Sequence, residues 1–226
     1  MSRLRGPKAV RPQSESSILL NQTLFGGHER GGKTVDPSLA EVPIDWAAVF
    51  GQSGPLALEI GFNRGVFLES LARVEPATNV LGIEIQRRFC WRLANLLADA
   101  SDAPPNIRLV WADAKLVTNT LLSPGSVKDI YINFPDPWWK KRHHKRRLVD
   151  TSYAAELVEV LSPGGEIWVK SDVEAIANEI QVALEGQPQL QRSKPYEASS
   201  KPFTHREQKC VDQGMSIYRY RFIKKD

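Results

Sequence analysis

The chain has 226 residues, 42% hydrophobic and 25% charged, which is enough for one globular domain with a large core. No apolar run approaches the roughly 18 residues of a membrane span, and the N-terminus lacks the apolar segment of a secretory signal. The two cysteines, Cys90 and Cys210, lie too far apart for a zinc motif or a disulfide framework. We therefore predict a cytoplasmic protein without a metal site.

Positive charge is concentrated in clusters, although the formal net charge is only +4. One cluster lies within the first 13 residues, and a second, KKRHHKRR, spans residues 140–147. We call residues 140–147 the basic cluster. Such clusters favour binding to a polyanion, although a charged run can also be merely solvated.

Residues 1–45 are rich in Gly, Pro, Ser and charge and show no sustained periodicity. We predict that they form a flexible basic arm, and that a single domain occupies residues 46–226.

From about residue 55, short apolar runs alternate with segments of helical periodicity. This alternation is typical of βαβ units that build a parallel sheet covered on both faces. The predicted strands are 55–62, 79–85, 107–113, 127–134 and 166–172, and the predicted helices are 66–74, 87–100, 151–161 and 173–186.

Two further strand-like runs, LQRSKPY and MSIYRYRFI, close the chain with no predicted helix between them. We expect them to form an antiparallel pair at one edge of the sheet. The predicted fold is therefore α/β: a doubly wound, mostly parallel, Rossmann-like sheet of seven strands.

Each predicted parallel strand brings an acidic residue to its carboxyl end, where open α/β sheets bind their ligands. A single acid at a strand end is common, whereas one at every strand indicates a site. These residues are Glu59, Glu84, Asp113, Asp136 and Asp172.

The first strand ends in a glycine turn, Gly61 to Gly65, that lacks the middle glycine of a dinucleotide fingerprint. The acids would also repel a pyrophosphate. Glu84 could instead accept hydrogen bonds from a ribose diol, Asp113 from an adenine amino group, and Glu59 could face an ammonium or sulfonium. This pattern favours S-adenosylmethionine over NAD, although the two glycines alone could form a plain tight turn.

The motifs EIGFNRG, GIEIQRR, ADA and INFPDPWWKKRHHKRRLV resemble the class I methyltransferases that make 7-methylguanosine in tRNA. GGEIWVKSD and the segment Thr204–Glu207 (THRE) are similar to that family's substrate-side motifs. The resemblance covers roughly residues 54–222. Asn63 stands where family members commonly have glycine.

The resemblance implies a methyltransferase that uses S-adenosylmethionine to methylate N7 of a guanine in the variable loop of tRNA. It also implies that the acids at the ends of the first four strands contact the cofactor, and that Asp136 is catalytic. The implied substrate-binding residues are Lys140, Asp172, Thr204, His205, Arg206 and Glu207.

The stretch from residue 132 to 149 combines an acid, two tryptophans and the basic cluster. Pro135 and Pro137 fix the backbone beside Asp136, so we expect this carboxylate to accept from the N1–H and amino groups of guanine. Trp138 or Trp139 could stack on an extruded base, or could pack into the core. The cations expected to contact RNA phosphates include Arg142, Lys145 and Arg146.

Other interpretations remain open from the residues alone. The chain could methylate another RNA, or could be an RNA-binding protein that has lost catalysis, which Asn63 alone would support. A nicotinamide dehydrogenase is disfavoured by the missing glycine. Thr204–Glu207 could be a surface turn that positions the last strand. Cys90 is expected in a buried helix and Cys210 in a loop. Both a monomer and a homodimer are compatible with the sequence.

Overall fold

The computed structural model describes residues 18–20, 43–194 and 201–226, with only the backbone of Lys145. Most of the predicted arm, residues 1–45, therefore lies outside the described residues, so its flexibility stays a prediction. Within the described part, no helix is both long enough and apolar enough to cross a membrane.

The described chain alternates between strands and helices, and a short 3₁₀ helix spans Lys141–Arg146. The strands are β1 Leu56–Ile60, β2 Asn79–Glu84, β3 Ile107–Trp111, β4 Val127–Asn133, β5 Leu161–Ser171, β6 Leu190–Arg192 and β7 Tyr218–Lys224. The helices are α1 Trp46–Phe50, α2 Val66–Val74, α3 Arg87–Asp99, α4 Ala114–Thr120, α5 Thr151–Val160, α6 Glu174–Glu185 and α7 His205–Asp212.

The strands form one seven-stranded sheet in the order β3-β2-β1-β4-β5-β7-β6. Strands β1 to β5 are parallel, whereas β7 runs antiparallel to both β5 and β6. The predicted doubly wound sheet with an antiparallel edge pair is confirmed. Because the strand order reverses between β1 and β4, their carboxyl ends flank the position at which such sheets bind ligands.

Helices cover both faces of the sheet, which explains why β1 and β2 are buried at every position and are mostly apolar. On one face, α2 and α3 pack through residues such as Phe67 and Leu93 against Tyr131 and Trp168. On the other face, α4, α5 and α6 contribute Val117, Leu157 and Ile180 to the larger core cluster.

The expectation that no helix separates the last two strands is wrong, because α7 lies between β6 and β7. The helix begins with a capping box: Thr204 accepts from the N–H of Glu207, and the Glu207 side chain accepts from the N–H of Thr204. Only Glu207 and Cys210 are buried in it, so no apolar stripe marks it in the sequence. Cys210 therefore lies in a helix rather than a loop, while Cys90 is buried in α3 as expected.

Residues 18–20 extend the sheet beyond β3. The N–H of Leu109 donates to the carbonyl of Ile18 at 2.7 Å, and the N–H of Leu20 donates to the carbonyl of Leu109 at 3.0 Å. Leu20 is buried against the core, so this part of the predicted arm covers the β3 edge.

Candidate active site

The loops that follow β1 and β4 contain every non-glycine residue of the described chain with a positive φ angle. These are Asn63 at 51°, Phe134 at 50° and Trp138 at 44°. Such backbone conformations cost energy and persist only where the surroundings impose them, which happens most often at functional sites. The carboxyl edge of the sheet is therefore the best candidate for a site.

Glu59 is 2% exposed on β1, and its Oε1 accepts from Nδ2 of Asn133 on β4 at 3.0 Å. Its Oε2 and Oδ1 of Asn133 are both buried, and neither has a hydrogen-bond partner within the described structure. Burial raises the pKa of Glu59 to about 7, although the Asn133 hydrogen bond and the charge of Lys170 oppose this rise.

Two unpartnered buried acceptors side by side suit a ligand that donates several hydrogen bonds and carries positive charge. An ammonium group has both properties, and the methionine end of S-adenosylmethionine carries one. Asn133 is absent from the site predicted from the sequence. Its signal is an amide that directly follows the apolar residues 130–132 at the end of the strand before Pro135.

Glu84 ends β2 and is fixed by two backbone donors. The N–H of Asn63 donates to Oε2 at 3.0 Å, and the N–H of Gln86 donates to Oε1 at 2.8 Å. Burial raises the pKa of Glu84, these hydrogen bonds lower it, and the charge of Asp136 raises it, so Asp136 lies within electrostatic range. Each Glu84 oxygen keeps a second lone pair for a ribose hydroxyl.

Asn63 adopts the left-handed conformation that asparagine tolerates better than any residue except glycine. Asparagine at position 63 is therefore compatible with a left-handed residue in this turn, and the N–H of Asn63 reaches Glu84. The one sequence feature that favoured a binding protein without catalysis thus has a conformational explanation.

The two glycines of this turn have different surroundings. Gly61 has a φ of 78° and open space where a Cβ atom would stand, as expected where a ligand approaches the backbone. Gly65 has a φ of 77° and precedes α2, and a Cβ atom there would lie 2.2 Å from Cδ2 of Leu93. Gly65 is thus required for packing of the turn against α3, whereas Gly61 borders the cleft.

Asp113 follows β3 and is exposed. Its side chain caps α4 by accepting from the N–H of Lys115 at 3.0 Å, which uses one of the lone pairs of Oδ1. The carboxylate is thereby oriented at the edge of the sheet, and the remaining lone pairs can still accept from an adenine amino group.

Asp136 is exposed, and its loop is anchored on both sides. Before it, the N–H of Phe134 donates to the carbonyl of Lys170 on β5 at 2.7 Å. After it, Nε of Arg147 donates to the carbonyl of Pro137 at 3.2 Å. These anchors and the two prolines present the Asp136 carboxylate at the edge of the sheet without holding the side chain itself.

The two tryptophans that follow differ in exposure. Trp138 is half-buried between His143, whose ring centroid lies 5.7 Å away, and the Arg146 guanidinium, 5.1 Å from its ring. Trp139 is 72% exposed. Of the two tryptophans expected as candidates for base stacking, Trp139 is therefore the more exposed ring, and Trp138 packs against its own loop.

The basic cluster is also divided by its orientation. Lys140, Arg142 and Arg146 are exposed at the edge of the sheet. Arg147 instead turns inward, where it pairs with Glu179 on α6 and contacts Nε2 of His144 at 3.0 Å. The exposed members form the cationic surface beside Asp136, and Arg147 holds the loop.

The predicted substrate-side residues come together at the carboxyl end of β5. Arg206 donates from both Nε and Nη2 to Oδ2 of Asp172, and the Asp172 side chain is 10% exposed. His205 is exposed beside them, so this end of α7 presents a histidine and an arginine next to the site.

Glu207, by contrast, has no exposed surface. Its Oε2 accepts from Nζ of Lys170 at 2.7 Å, and its Oε1 accepts from Nη2 of Arg219 at 2.9 Å. Asn133, Lys170 and Arg219 lie in register across β4, β5 and β7, so this ionic network continues the polar row that starts at Glu59. Glu207 therefore attaches α7 to the sheet, and Thr204 caps the start of this helix. Lys170 is absent from the residues predicted from the sequence, where it is a single lysine within an apolar strand.

Within the described chain, no group of His, Cys, Asp and Glu side chains could hold a metal ion. The chemistry available at this edge is that of carboxylates, amides, exposed cations and an aromatic ring.

Comparison with known proteins agrees with this arrangement. A family model described as "Putative methyltransferase" matches residues 53–220. The tRNA (guanine-N(7)-)-methyltransferase of Synechococcus sp. strain JA-3-3Ab is 37% identical and aligns over 79% of this chain and 76% of its own length. Enzymes of the same name from Burkholderia ambifaria and Syntrophotalea carbinolica are 38% and 41% identical, over 73% and 66% of this chain. These matches span 64% and 63% of those relatives, slightly less than two thirds of their length.

Solved structures support the fold. The 16S rRNA methyltransferase KamB superposes with a TM-score of 0.57 at 14% identity, covering 86% of this chain and 98% of its own. A mutant 16S rRNA (adenine(1408)-N(1))-methyltransferase from Catenulisporales acidiphilia, solved with the cosubstrate SAM, gives a TM-score of 0.53 at 15% identity. It covers 86% of this chain and 95% of its own.

The fold and the sequence similarity lead to the same family. The similarity over residues 53–220 includes the sheet, the turn around Asn63 and the loop of Asp136. Together they show that this chain has the class I methyltransferase fold and belongs to the tRNA (guanine-N(7)-)-methyltransferase family.

Proposed function

We propose that this protein transfers a methyl group from S-adenosylmethionine to N7 of a guanine in the variable loop of tRNA, in the cytoplasm. The observation that carries the proposal is the hydrogen-bonded pair of Glu59 and Asn133, with two buried acceptors that lack partners in the described structure, at the same sheet edge as Asp136. Relatives that are 37% and 38% identical to this chain are named tRNA (guanine-N(7)-)-methyltransferase.

The cofactor site is assigned to the acids at the ends of β1 to β3 and to Gly61. Glu59 and Asn133 receive the ammonium group, Glu84 the ribose hydroxyls, and Asp113 the adenine amino group. When bound, S-adenosylmethionine supplies a methyl group on a positively charged sulfur, which guanine N7 can accept through its in-plane lone pair.

Asp136 positions the guanine in this proposal rather than removing a proton from N7. Its exposed carboxylate accepts from the N1–H and amino groups of the base, which orients N7 for in-line attack. As positive charge appears on the purine, the same carboxylate stabilises it electrostatically. The anchors at Phe134 and Pro137 keep this acceptor in place before the substrate arrives.

Recognition of RNA is assigned to the surface around this loop. Lys140, Arg142 and Arg146 contact phosphates, and Trp139 stacks on a base near the extruded guanine. Asp172, Arg206 and His205 border the base from the β5 side. The concentration of exposed cations beside Asp136 favours a polynucleotide over a small nucleoside.

The test is methylation of unmodified tRNA transcript by the purified protein, followed by reduction and chain cleavage at 7-methylguanosine. We expect one break at a variable-loop guanine, and a loss of at least about 100-fold in rate for Asp136→Asn, since an amide cannot replace the charge. Cofactor binding measured in parallel is the control and should change little in this variant.

The outcomes separate the alternatives. A break in ribosomal RNA but not in tRNA would reassign the substrate. RNA binding without cofactor binding would favour a binding protein that has lost catalysis. Asp136→Asn with full activity would contradict the positioning role.

A further inference from the structure

The arginines of the described chain fall into two classes. Those of the first class pair with carboxylates or with backbone carbonyls; most of them lie away from the candidate site, and Arg147 and Arg206 are the two that lie beside it. Arg108, for example, donates to the carbonyls of Val49 and Pro105. The carboxylate pairs are Arg73 with Glu69, Arg147 with Glu179, Arg192 with Glu185, Arg206 with Asp172, Arg219 with Glu207, and Arg221 with Glu166.

The remaining arginines have no carboxylate partner among the described residues, and all of them follow the carboxyl ends of β1, β2 and β4. Arg142 and Arg146 belong to the basic cluster already assigned to RNA. The others follow β1 and β2. Arg64 lies in the turn after β1, and we call the three on α3, Arg87, Arg88 and Arg92, the α3 arginines.

Aromatic rings hold two of the α3 arginines in place. The guanidinium of Arg87 lies 4.6 Å from the ring of Trp91 and 5.4 Å from that of Trp111, and Arg88 lies 4.6 Å from the ring of Phe89. Stacking orders the planar group and leaves its N–H edge free for a phosphate. The side chains are thus partly preorganised while remaining exposed.

Helix stability does not account for these arginines. Arg87 and Arg88 occupy the first turn of α3, where positive charge opposes the helix dipole, and no acid is present in that turn. Gln86 gives the helix no side-chain cap, and Arg88 and Arg92 repel each other at i,i+4. The positive charges at the start of α3 are thus a local cost to the helix, and a break with a local rule of this kind is expected where a residue has a functional role.

We propose that the α3 arginines form a second tRNA-phosphate surface, so that the RNA backbone contacts both flanks of the cofactor cleft. This inference rests on the proposed function. β2 and β4 are separated only by β1, a distance of roughly 10 Å, so a single nucleic-acid backbone can contact both cationic surfaces. The α3 arginines and the basic cluster lie along the same edge of the sheet, and such an extended cationic surface favours RNA over an acidic protein.

The test is a triple variant, Arg87→Gln, Arg88→Gln and Arg92→Gln, compared with a matched control that removes three exposed cations elsewhere. The control is Lys128→Gln, Arg192→Gln and Lys225→Gln, which lie away from the carboxyl edge. Binding to tRNA is measured by fluorescence anisotropy at several salt concentrations.

We expect the α3 variant to bind tRNA about 10- to 100-fold more weakly near 0.1 M salt. The slope of log affinity against log salt should fall by about 2 to 3, since each lost phosphate contact removes roughly 0.7 to 0.9. The control should keep its slope within about 0.5 of the parent. Cofactor affinity and kcat at saturating tRNA should stay within about twofold, and the Tm should be equal or higher because wrong-sign charges leave the helix start.

An α3 variant with the parental slope and affinity, or one that loses no more than the control, would overturn the inference. So would binding of the parent, but not the variant, to anionic vesicles while tRNA binding stays unchanged, which would assign the surface to a membrane. A parent protein that neither binds nor methylates tRNA would instead contradict the proposed function itself.

Discussion

Glu59 combines complete burial with a carboxyl group that is only partly hydrogen-bonded. Asn133 satisfies one oxygen and nothing in the described structure satisfies the other. Burial is the largest influence on its pKa, which rises from 4.5 to about 7. Such a residue is costly for folding and useful for binding a cation, which is the usual compromise at an active site.

We expect Glu59→Gln to stabilise the protein at alkaline pH. The folded state of the parent holds the Glu59 proton more tightly than the unfolded state does. The stability that comes from this tighter proton binding is complete below about pH 4.5, and it is lost as the pH rises through about 7. At pH 8 the free energy of unfolding of the variant should exceed that of the parent by on the order of 2–3 kcal/mol, measured by urea denaturation.

At pH 4.5 the two proteins should be nearly equal in stability, which serves as the internal control. Cofactor affinity of the parent should increase as pH rises through about 7, because the carboxylate form attracts the ammonium group. The variant should bind the cofactor at least about tenfold more weakly at pH 8, with little dependence on pH. A parent with a flat pH profile of affinity would contradict this assignment.

At the scale of elements, Arg147 joins the 3₁₀ helix, the Asp136 loop and α6. Its Nε holds the Pro137 carbonyl while its terminal nitrogens contact His144 and pair with Glu179. The residue has the position of a phosphate-binding cation in the sequence, yet its side chain is 18% exposed. Arg147 is therefore a positioning residue for the loop.

We expect Arg147→Lys to lower kcat about 10- to 100-fold while the KM for the cofactor changes less than threefold. Lysine can still reach Glu179 but cannot hold the carbonyl and the carboxylate at once, so the Asp136 loop loses an anchor. Arg142→Ala is the matched control, since this exposed arginine should affect the KM for tRNA rather than kcat. Equal kcat losses in the two variants would refute the distinction.

Helix α7 is fastened by the buried pair of Lys170 and Glu207, whose side chains are 2% and 0% exposed. Lys170→Met leaves Glu207 with Arg219 as its only ionic partner, so we expect a loss of about 3–5 kcal/mol in the free energy of unfolding. Arg192→Gln, which breaks the exposed pair with Glu185, should cost less than about 0.5 kcal/mol. A Lys170→Met loss below about 1 kcal/mol would show that α7 is held mainly by other contacts.

For the whole molecule, the distribution of charge matters more than its sum. The net charge of +4 conceals an edge of the sheet where six arginines of the described chain have no carboxylate partner there, namely Arg64, Arg87, Arg88, Arg92, Arg142 and Arg146, whereas arginines on other surfaces are paired. We expect the log–log salt slope of tRNA affinity to be about −4 to −7, whereas cofactor affinity should change little between 50 and 200 mM salt. A tRNA slope smaller than about 2 in magnitude would contradict an electrostatic surface of this size.

The sequence by itself determined the architecture and the location of the site. The apolar runs indicate the parallel strands because these strands are largely buried between two layers of helices, and parallel strands bring their carboxyl ends to one edge. The acids at those ends, from Glu59 to Asp172, could therefore be grouped without coordinates. Their individual roles in binding remain predictions.

Only the tertiary structure decided which polar residues face inward. Lys170 meets Glu207, Asn133 meets Glu59, and Arg147 meets Glu179, although 37, 74 and 32 residues separate the partners. Burial and pairing of this kind depend on contacts between distant elements, which no local pattern records. For the same reason, the exposure of Trp139 and the existence of α7 were decided by packing rather than by periodicity.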